Sequence, residues 1–419
     1  MFVDVGNWRR GRPVRRARFA AALAAALAGC LIAAAPAGAS AHAAGGSSFS
    51  GFLNDVTCVA AADCWAFGQN SAQHAVAEHW NGSAWSLVAV ASPPGAVSTY
   101  LPSVSCVTAA DCWAVGQYQK AARMLAYAEH WNGTAWSPVA VPVPTGSLVS
   151  LLISVSCVSA SPDPTTAPKA ASCWAVGAGL PTFMERWNGH AWTTVLTPGL
   201  GSGANPERVA CVSAGPDPTT PPKPADCWVS GMHGNGSTGG TLIGHWTGKA
   251  WTAVPTPTSH VPADALTGIT CQQNACMTVG SHGNHPLAQR WNGTAWSVTP
   301  TGTAAAILYA VACVSPLKCL AVGGTQEGNG RVFGERWSGS RWHVVPAATP
   351  PGGVAASLVG VACVTMTDCW GTGSWVHGPA GGPRPDRALE RDRLVGDLQL
   401  TPGINADQGV ARRTGRWVP

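Results

Sequence analysis

The sequence predicts an all-β fold, a seven-bladed β-propeller of four-stranded blades, on three observations. A unit repeats seven times, with its first cysteines at Cys58, Cys106, Cys157, Cys211, Cys271, Cys313 and Cys363, a period of 42 to 60 residues. Such periods belong to propellers and arrays. Within a copy, apolar residues alternate over short runs bounded by turn residues, the mark of half-buried strands. Composition agrees: 50 Gly, 33 Pro and 20 Trp with only 11% charged residues suit a turn-rich chain with a large core. One four-stranded sheet cannot bury both faces alone, so neighbours must stack and close into a ring.

The second copy shows the elements in order. Ser103-Val104-Ser105-Cys106 begins the unit, Asp111-Cys112-Trp113-Ala114-Val115-Gly116 follows a short loop, and Glu129-His130-Trp131-Asn132-Gly133-Thr134-Ala135-Trp136 closes it. Asn81-Gly82, Asn132-Gly133, Asn188-Gly189 and Asn292-Gly293 each lie between β-rich runs, which predicts hairpins with type I′ turns. Thr247-Gly248 and Ser338-Gly339 take that place in copies four and six. The tryptophans flanking these turns, from Trp80 and Trp85 to Trp337 and Trp342, are expected to pack between blades, since every copy needs them.

Fourteen of the 15 cysteines fall into pairs: Cys58 and Cys64, Cys106 and Cys112, Cys157 and Cys173, Cys211 and Cys227, Cys271 and Cys276, Cys313 and Cys319, Cys363 and Cys369. Their spacing varies from four to fifteen intervening residues. Metal sites hold ligand spacing tightly, whereas a disulfide across a hairpin base tolerates any loop. Seven intra-blade disulfides are therefore expected, with no metal set, and they imply an oxidising compartment.

The pattern resembles secreted actinobacterial repeat proteins whose copies read like CWAVG followed by HWNGTAWS, over roughly residues 50 to 376. The hairpin is loosely similar to the Asp-box of sialidase-type propellers, with Asn81, Asn132 and their equivalents standing where that motif has Asp. The resemblance implies a propeller fold and carries over no catalytic residue.

Along the chain, six arginines between Arg9 and Arg18, the apolar run Phe19 to Ala35 and the small residues up to Ala41 read as a secretory signal peptide over 1–41. No transmembrane segment is expected in the mature chain. The rival reading is a lipobox, Leu27-Ala28-Gly29-Cys30, with a lipid anchor on Cys30. Residues 42–52 read as a linker and 53–380 as the seven repeats, copies three and four sharing the insert Pro162-Asp163-Pro164-Thr165-Thr166 and Pro216-Asp217-Pro218-Thr219-Thr220. The last copy departs from the pattern after Trp375. One legal coding of Ala388 to Gln399, shifted by one base, reads Arg-Trp-Asn-Gly-Thr-Ala-Trp-Ser, so 381–419 is expected to be a frameshifted, poorly ordered tail and the last blade incomplete.

The formal charge of +5 sits at the two ends, leaving 12 basic and 14 acidic residues in the repeats, so no nucleic-acid partner is expected. Repeated acids (Asp63, Asp111, Asp226 and Asp368; Glu78, Glu129, Glu185 and Glu335) read as structural. The unrepeated acids are Asp55, Asp163, Glu207, Asp217, Asp264 and Glu327, thin support for a glycosidase-type carboxylate pair. Serine hydrolase, phosphate-loop and dinucleotide signatures are absent. Asn-Gly-Ser/Thr at Asn81, Asn132, Asn235 and Asn292 matches a glycosylation acceptor, discounted at the three hairpin turns.

The candidate ligand-binding residues are His74, His233, His282, His285 and His377, all between second and third strands, and Trp375, outside the repeat pattern. These segments open on the same face as the blade-to-blade links. Variability within the chain concentrates there, as on a binding surface carried by a rigid scaffold. The expected function is a secreted, monomeric, non-catalytic scaffold for an extracellular protein or glycan, without a cofactor. An extracellular carbohydrate-active hydrolase or lyase is the alternative, and it requires unrepeated polar groups converging near the central channel.

Overall fold

The computed structural model describes residues 51–143, 149–159, 171–179, 182–213, 226–234, 239–258, 263–272, 274–326, 330–345, 353–377 and 391–397. Blade one holds β1 (Gly51–Ala60), β2 (Asp63–Asn70), β3 (Ala75–Trp80) and β4 (Trp85–Val88). Blade two holds β5 (Ser98–Thr108), β6 (Asp111–Lys120), β7 (Arg123–Trp131) and β8 (Trp136–Val139). Blade three holds β9 (Leu151–Ser159), β10 (Ala171–Ala178), β11 (Phe183–Trp187) and β12 (Trp192–Leu196). Blade four holds β13 (Ala204–Val212), β14 (Asp226–His233), β15 (Thr241–Trp246) and β16 (Trp251–Ala253). Blade five holds β17 (Asp264–Gln272), β18 (Ala275–His282), β19 (His285–Trp291) and β20 (Trp296–Val298). Blade six holds β21 (Ala306–Ser315), β22 (Lys318–Thr325), β23 (Val332–Trp337) and β24 (Trp342–Val345).

Each of these is a four-stranded antiparallel meander. The expected seventh blade is a sheet of three strands, β25 (Gly353–Thr365), β26 (Asp368–His377) and β27 (Arg391–Asp397), so the fold has six complete four-stranded blades rather than seven. Its third strand comes from the segment expected to be a disordered tail; the rest of that tail, the signal segment and the two Pro-Asp-Pro inserts lie outside the described residues. At the other end β1 starts at Gly51, inside the stretch read as a linker. Among the described residues no helix is long and apolar enough to cross a membrane.

The repeated glycine of Cys-Trp-Ala-Val-Gly is explained by the first strands. β1 bulges between Leu53 and Asp55, and β5 between Tyr100 and Ser103. A Cβ on Gly68 would stand 1.9 Å from the Phe52 carbonyl oxygen, and one on Gly116 1.9 Å from that of Tyr100. The bulge pushes backbone against the second strand, and only glycine leaves room for it.

All seven disulfides form, each between residues directly opposed on the first and second strands. Each closed loop stabilises the fold by roughly 2–3 kcal/mol on the chain-entropy estimate. The Asn-Gly turns differ from the type I′ expectation. Gly82 has φ +89° and Gly133 +93°, but the asparagines before them have no positive φ. Instead Asn81 Oδ1 accepts from the Ser83 and Ala84 N–H groups at 3.0 Å, closing a four-residue loop between the paired Trp80 and Trp85. The asparagine is used for its side-chain acceptor, in an Asx turn.

Blade contacts are made by tryptophan. Trp65 of β2 meets Trp131 at 4.7 Å and Trp136, edge on, at 5.2 Å in blade two. Trp113, Trp174 and Trp228 make the same pair of contacts with Trp187 and Trp192, Trp246 and Trp251, and Trp291 and Trp296. Trp370 of the three-stranded sheet meets Trp80 at 4.8 Å and Trp85 at 5.1 Å, which joins the last sheet to the first. Blade five substitutes Met277, which shares a core with Trp337 and Trp342.

Replacing the fully buried Trp113 by alanine should cost about 3–5 kcal/mol, whereas Val97→Ala, 63% exposed, should stay within about 0.5 kcal/mol. Guanidinium unfolding of the two variants checks this.

Candidate functional site

Strand order places the two ends of the ring. The N-terminus of each first strand pairs with the C-terminus of the second, as in Gly51 with Asn70, so the β2–β3 type turns and the blade-to-blade links share one face. The disulfide loops and Asn-Gly turns share the other, where the Trp80 indole N–H donates to the Ala61 carbonyl at 3.1 Å.

The predicted ligand histidines fall on the link face but are spread over four sheets. His74 is exposed in the turn of blade one, its N–H bonded to Asn70 Oδ1 at 2.9 Å. His233 ends β14 opposite Ala204, half-buried, with its ring near Gly201. His377 ends β26 opposite Gly353. His282 and His285 face each other across the β18–β19 hairpin, the one pair the fold brings together among these described residues. Trp375 departs from expectation: it is 9% exposed, packed with Leu320, Val322 and Leu358 between blade six and the last sheet, and presents no open ring face for a sugar.

A second constellation lies on the first strands, which form the innermost ring. Asp55 Oδ1 accepts from Val56 N–H at 2.9 Å, and Oδ2 accepts from Ser103 Oγ at 2.9 Å and Val104 N–H at 3.1 Å. Both carboxylate oxygens are thus occupied, Oδ1 within β1 and Oδ2 in holding blade two. Burial raises its pKa, and the positive charge of Arg208 opposes that rise. The same arginine opposes the burial shifts of Glu207, which is raised, and of Tyr100, pushed up to about 12. Arg208 donates from Nη1 to the Ile153 carbonyl at 3.0 Å. Sequence reading named Asp55 and Glu207 but missed Arg208 and Tyr100. The signal was present: three residues before the first cysteine, the copies read Asp55, Ser103, Ser154, Arg208, Gly268, Ala310 and Gly360, with a single cation.

The repeated third-strand acids are deeply buried, Glu78 at 1% and Glu129, Glu185 and Glu335 at 0% exposure. Two of them reach link-face backbone or its neighbours. The Tyr127 hydroxyl lies within hydrogen-bond reach of both Glu129 and the Ala91 carbonyl in the link into blade two, and the Gly302 N–H in the link into blade six donates to Glu335. Thr194 donates to Glu185 at 2.6 Å. Burial pushes Glu129 and Glu185 up to about 7 and raises Glu335 as well. They therefore hold protons well above the usual carboxylate range.

No protein-family model and no curated protein sequence matches the chain. Among solved structures, the WD40 β-propeller domain of Doa1 aligns with a TM-score of 0.50 at 11% identity, covering 78% of this chain and 91% of that one. YCF48 from Cyanidioschyzon merolae aligns at 0.46 and 13%, covering 78% and 94%, and the six-bladed fucose-recognising lectin of Aleuria aurantia at 0.45 and 11%, covering 70% and 90%. These are likenesses of fold: the chain is a β-propeller repeat protein.

Because the folded chain holds protons on Glu129 and Glu185 up to about pH 7 while the unfolded chain releases them near 4.5, stability is full below 4.5 and falls as pH rises through 7. Melting followed by circular dichroism should show a Tm several degrees higher at pH 5 than at pH 8. The double variant Glu129→Gln, Glu185→Gln should flatten that slope.

Proposed function

We propose that the protein is a secreted, non-catalytic binding scaffold that takes an extracellular protein or glycan on the face formed by the links and the turns between second and third strands. The observation that carries this reading is the division of labour between the two faces. Disulfides, Asn-capped turns and stacked tryptophans repeat at one end and between blades, while the link face changes from copy to copy in length and chemistry. A rigid frame with one variable face is built for recognition. Seven disulfides suit an oxidising compartment, in keeping with the arginine-rich, apolar start of the chain.

Screening the untagged mature protein on glycan and envelope-polymer arrays tests the reading. A hit should weaken at least tenfold when His74 and His233 are replaced by alanine, and should be indifferent to Ser83→Ala on the opposite face. Loss through Ser83→Ala alone would overturn the assignment of the face. For the compartment, protein recovered from the medium should begin near His42; a diacylglyceryl group on Cys30 would replace free secretion by anchoring.

The carbohydrate-active alternative has one observation in its favour, the Arg208 charge acting on Asp55, Glu207 and Tyr100 together. The engagement of both Asp55 oxygens in structural hydrogen bonds, Oδ1 to Val56 and Oδ2 to blade two, weighs against a carboxylate pair there. Turnover of chromogenic glycosides that disappears in Glu207→Gln would reverse the preference.

A further inference from the structure

We propose that His282 and His285 form a binding site for one divalent transition-metal ion of the copper, nickel and zinc class, with Asp264 positioning the His282 ring. The inference stands apart from the binding reading above. It starts from register: Asp264 of β17 pairs with His282 of β18, and His282 pairs with His285 of β19, so the three residues form one rung across three adjacent strands. Directly opposed residues point to the same side of a sheet, with Cβ atoms about 5 Å apart. Two imidazoles rooted at that spacing can share one ion at metal–nitrogen distances of about 2.0–2.1 Å.

The rung is held in place. The hairpin turns through two residues, Gly283 and Asn284, with φ +56° at the glycine, as a first central position of the II′ kind requires. The Gly283 N–H bonds to the Ala263 carbonyl at 3.4 Å, and Ala263 itself has φ +67°, which ties the turn to the start of β17. A side chain at Gly283 would meet nothing within 4 Å, so the approach is open.

Asp264 supplies the second observation. It is 0% exposed, and its Oδ1 lies 2.6 Å from His282 Nδ1, while the His282 side chain is 60% exposed. With the carboxylate as acceptor, Nδ1 carries the proton and the Nε2 lone pair faces outward, the arrangement by which carboxylates orient metal-binding histidines. Asp264 Oδ2 is buried without a hydrogen-bond partner. A buried carboxylate with an unsatisfied oxygen is costly, and a cation on the histidine it orients would offset that cost.

Among the described residues no group of three or more His, Cys, Asp or Glu is arranged to hold an ion. The site is therefore a two-nitrogen one, its remaining positions filled by water, and imidazole donors favour copper, nickel and zinc.

The test is isothermal titration of the untagged protein with CuCl2, NiCl2 and ZnCl2. One ion should bind per chain, most tightly copper, with affinity at least tenfold weaker in His282→Ala and in His285→Ala, and unchanged in His74→Ala. Asp264→Asn should weaken binding roughly 10–100-fold. Since Asp264→Asn could unfold blade five, Cu2+ electron paramagnetic resonance on the parent protein gives a second reading: two-nitrogen coupling that drops to one in His285→Ala supports the site. Titration curves that His285→Ala and His282→Ala leave unaltered, or a signal without nitrogen coupling, would overturn it.

Discussion

The ring depends on the insertion of one indole between two others. Each second-strand tryptophan of blades one to four is gripped by the pair flanking the next blade's outer hairpin turn, at centroid distances of 4.5–5.6 Å. Edge-to-face pairs contribute beyond the area they bury. A hairpin turn is therefore also an inter-blade device, because it sets the spacing of the two gripping rings. Half of these indoles are buried with their N–H unpartnered, Trp65, Trp113 and Trp136 among them. The energy comes from rings and shape, with hydrogen bonding sacrificed. The last sheet inserts Trp370 into blade one by the same geometry, so a ring whose final blade is incomplete still gains one full contact at its seam.

Near the axis the same chain uses two other ways to join neighbours. Between blades one and four, hydroxyls and a carboxylate reach across: Ser103 to Asp55, Val155 N–H to Ser103 Oγ at 3.1 Å, Val209 N–H to Ser154 Oγ at 3.2 Å. Further round, small residues let backbones approach. A Cβ on Gly268 would stand 3.1 Å from the Ala310 Cα, and one on Gly360 2.6 Å from the Asn54 carbonyl oxygen. The polar half carries Arg208 and its acids and the tight half carries none of them, so the axis is chemically one-sided although the fold is pseudo-symmetric.

How much of this was legible follows from the range of each interaction. Cysteine pairing and hairpin placement are local, and Cys58 with Cys64 or Trp80 with Trp85 announce themselves by spacing. The Asn turn was located correctly but mistyped, because Asn-Gly serves both a two-residue turn and an Asx loop, and only the φ of Asn81 separates them. Trp375 misled for a related reason. A tryptophan outside the repeat looked free for a ligand, yet the interface between blade six and the last sheet lacks the usual trio, and Trp375 packs there beside Leu320. Arg208 was hidden because its importance lies in residues from other copies, Asp55 and Tyr100, brought near it only by closure of the ring. The number of complete blades turned on a segment whose repeat pattern is lost.

The buried third-strand acids show what such a position requires, because the chain has carried out the substitution itself. Blades one, two, three and six place Glu78, Glu129, Glu185 and Glu335 there, all buried. Blade five has Gln289, equally buried, whose amide donates to Thr258 in the incoming link, much as Glu335 takes the Gly302 N–H. A neutral isostere fits the same slot, which agrees with a carboxyl that burial keeps protonated. Blade four removes the side chain altogether: a Cβ on Gly244 would stand 2.4 Å from Leu200 Cδ2, and Leu200, at the end of the 3-10 turn Pro198–Leu200 in the incoming link, is fully buried in its place. In blades two, four, five and six, carboxyl, apolar plug and amide do the same work, holding the incoming link to the third strand. The variable face is thus mounted on anchors whose chemistry changes from blade to blade while their place in the fold does not.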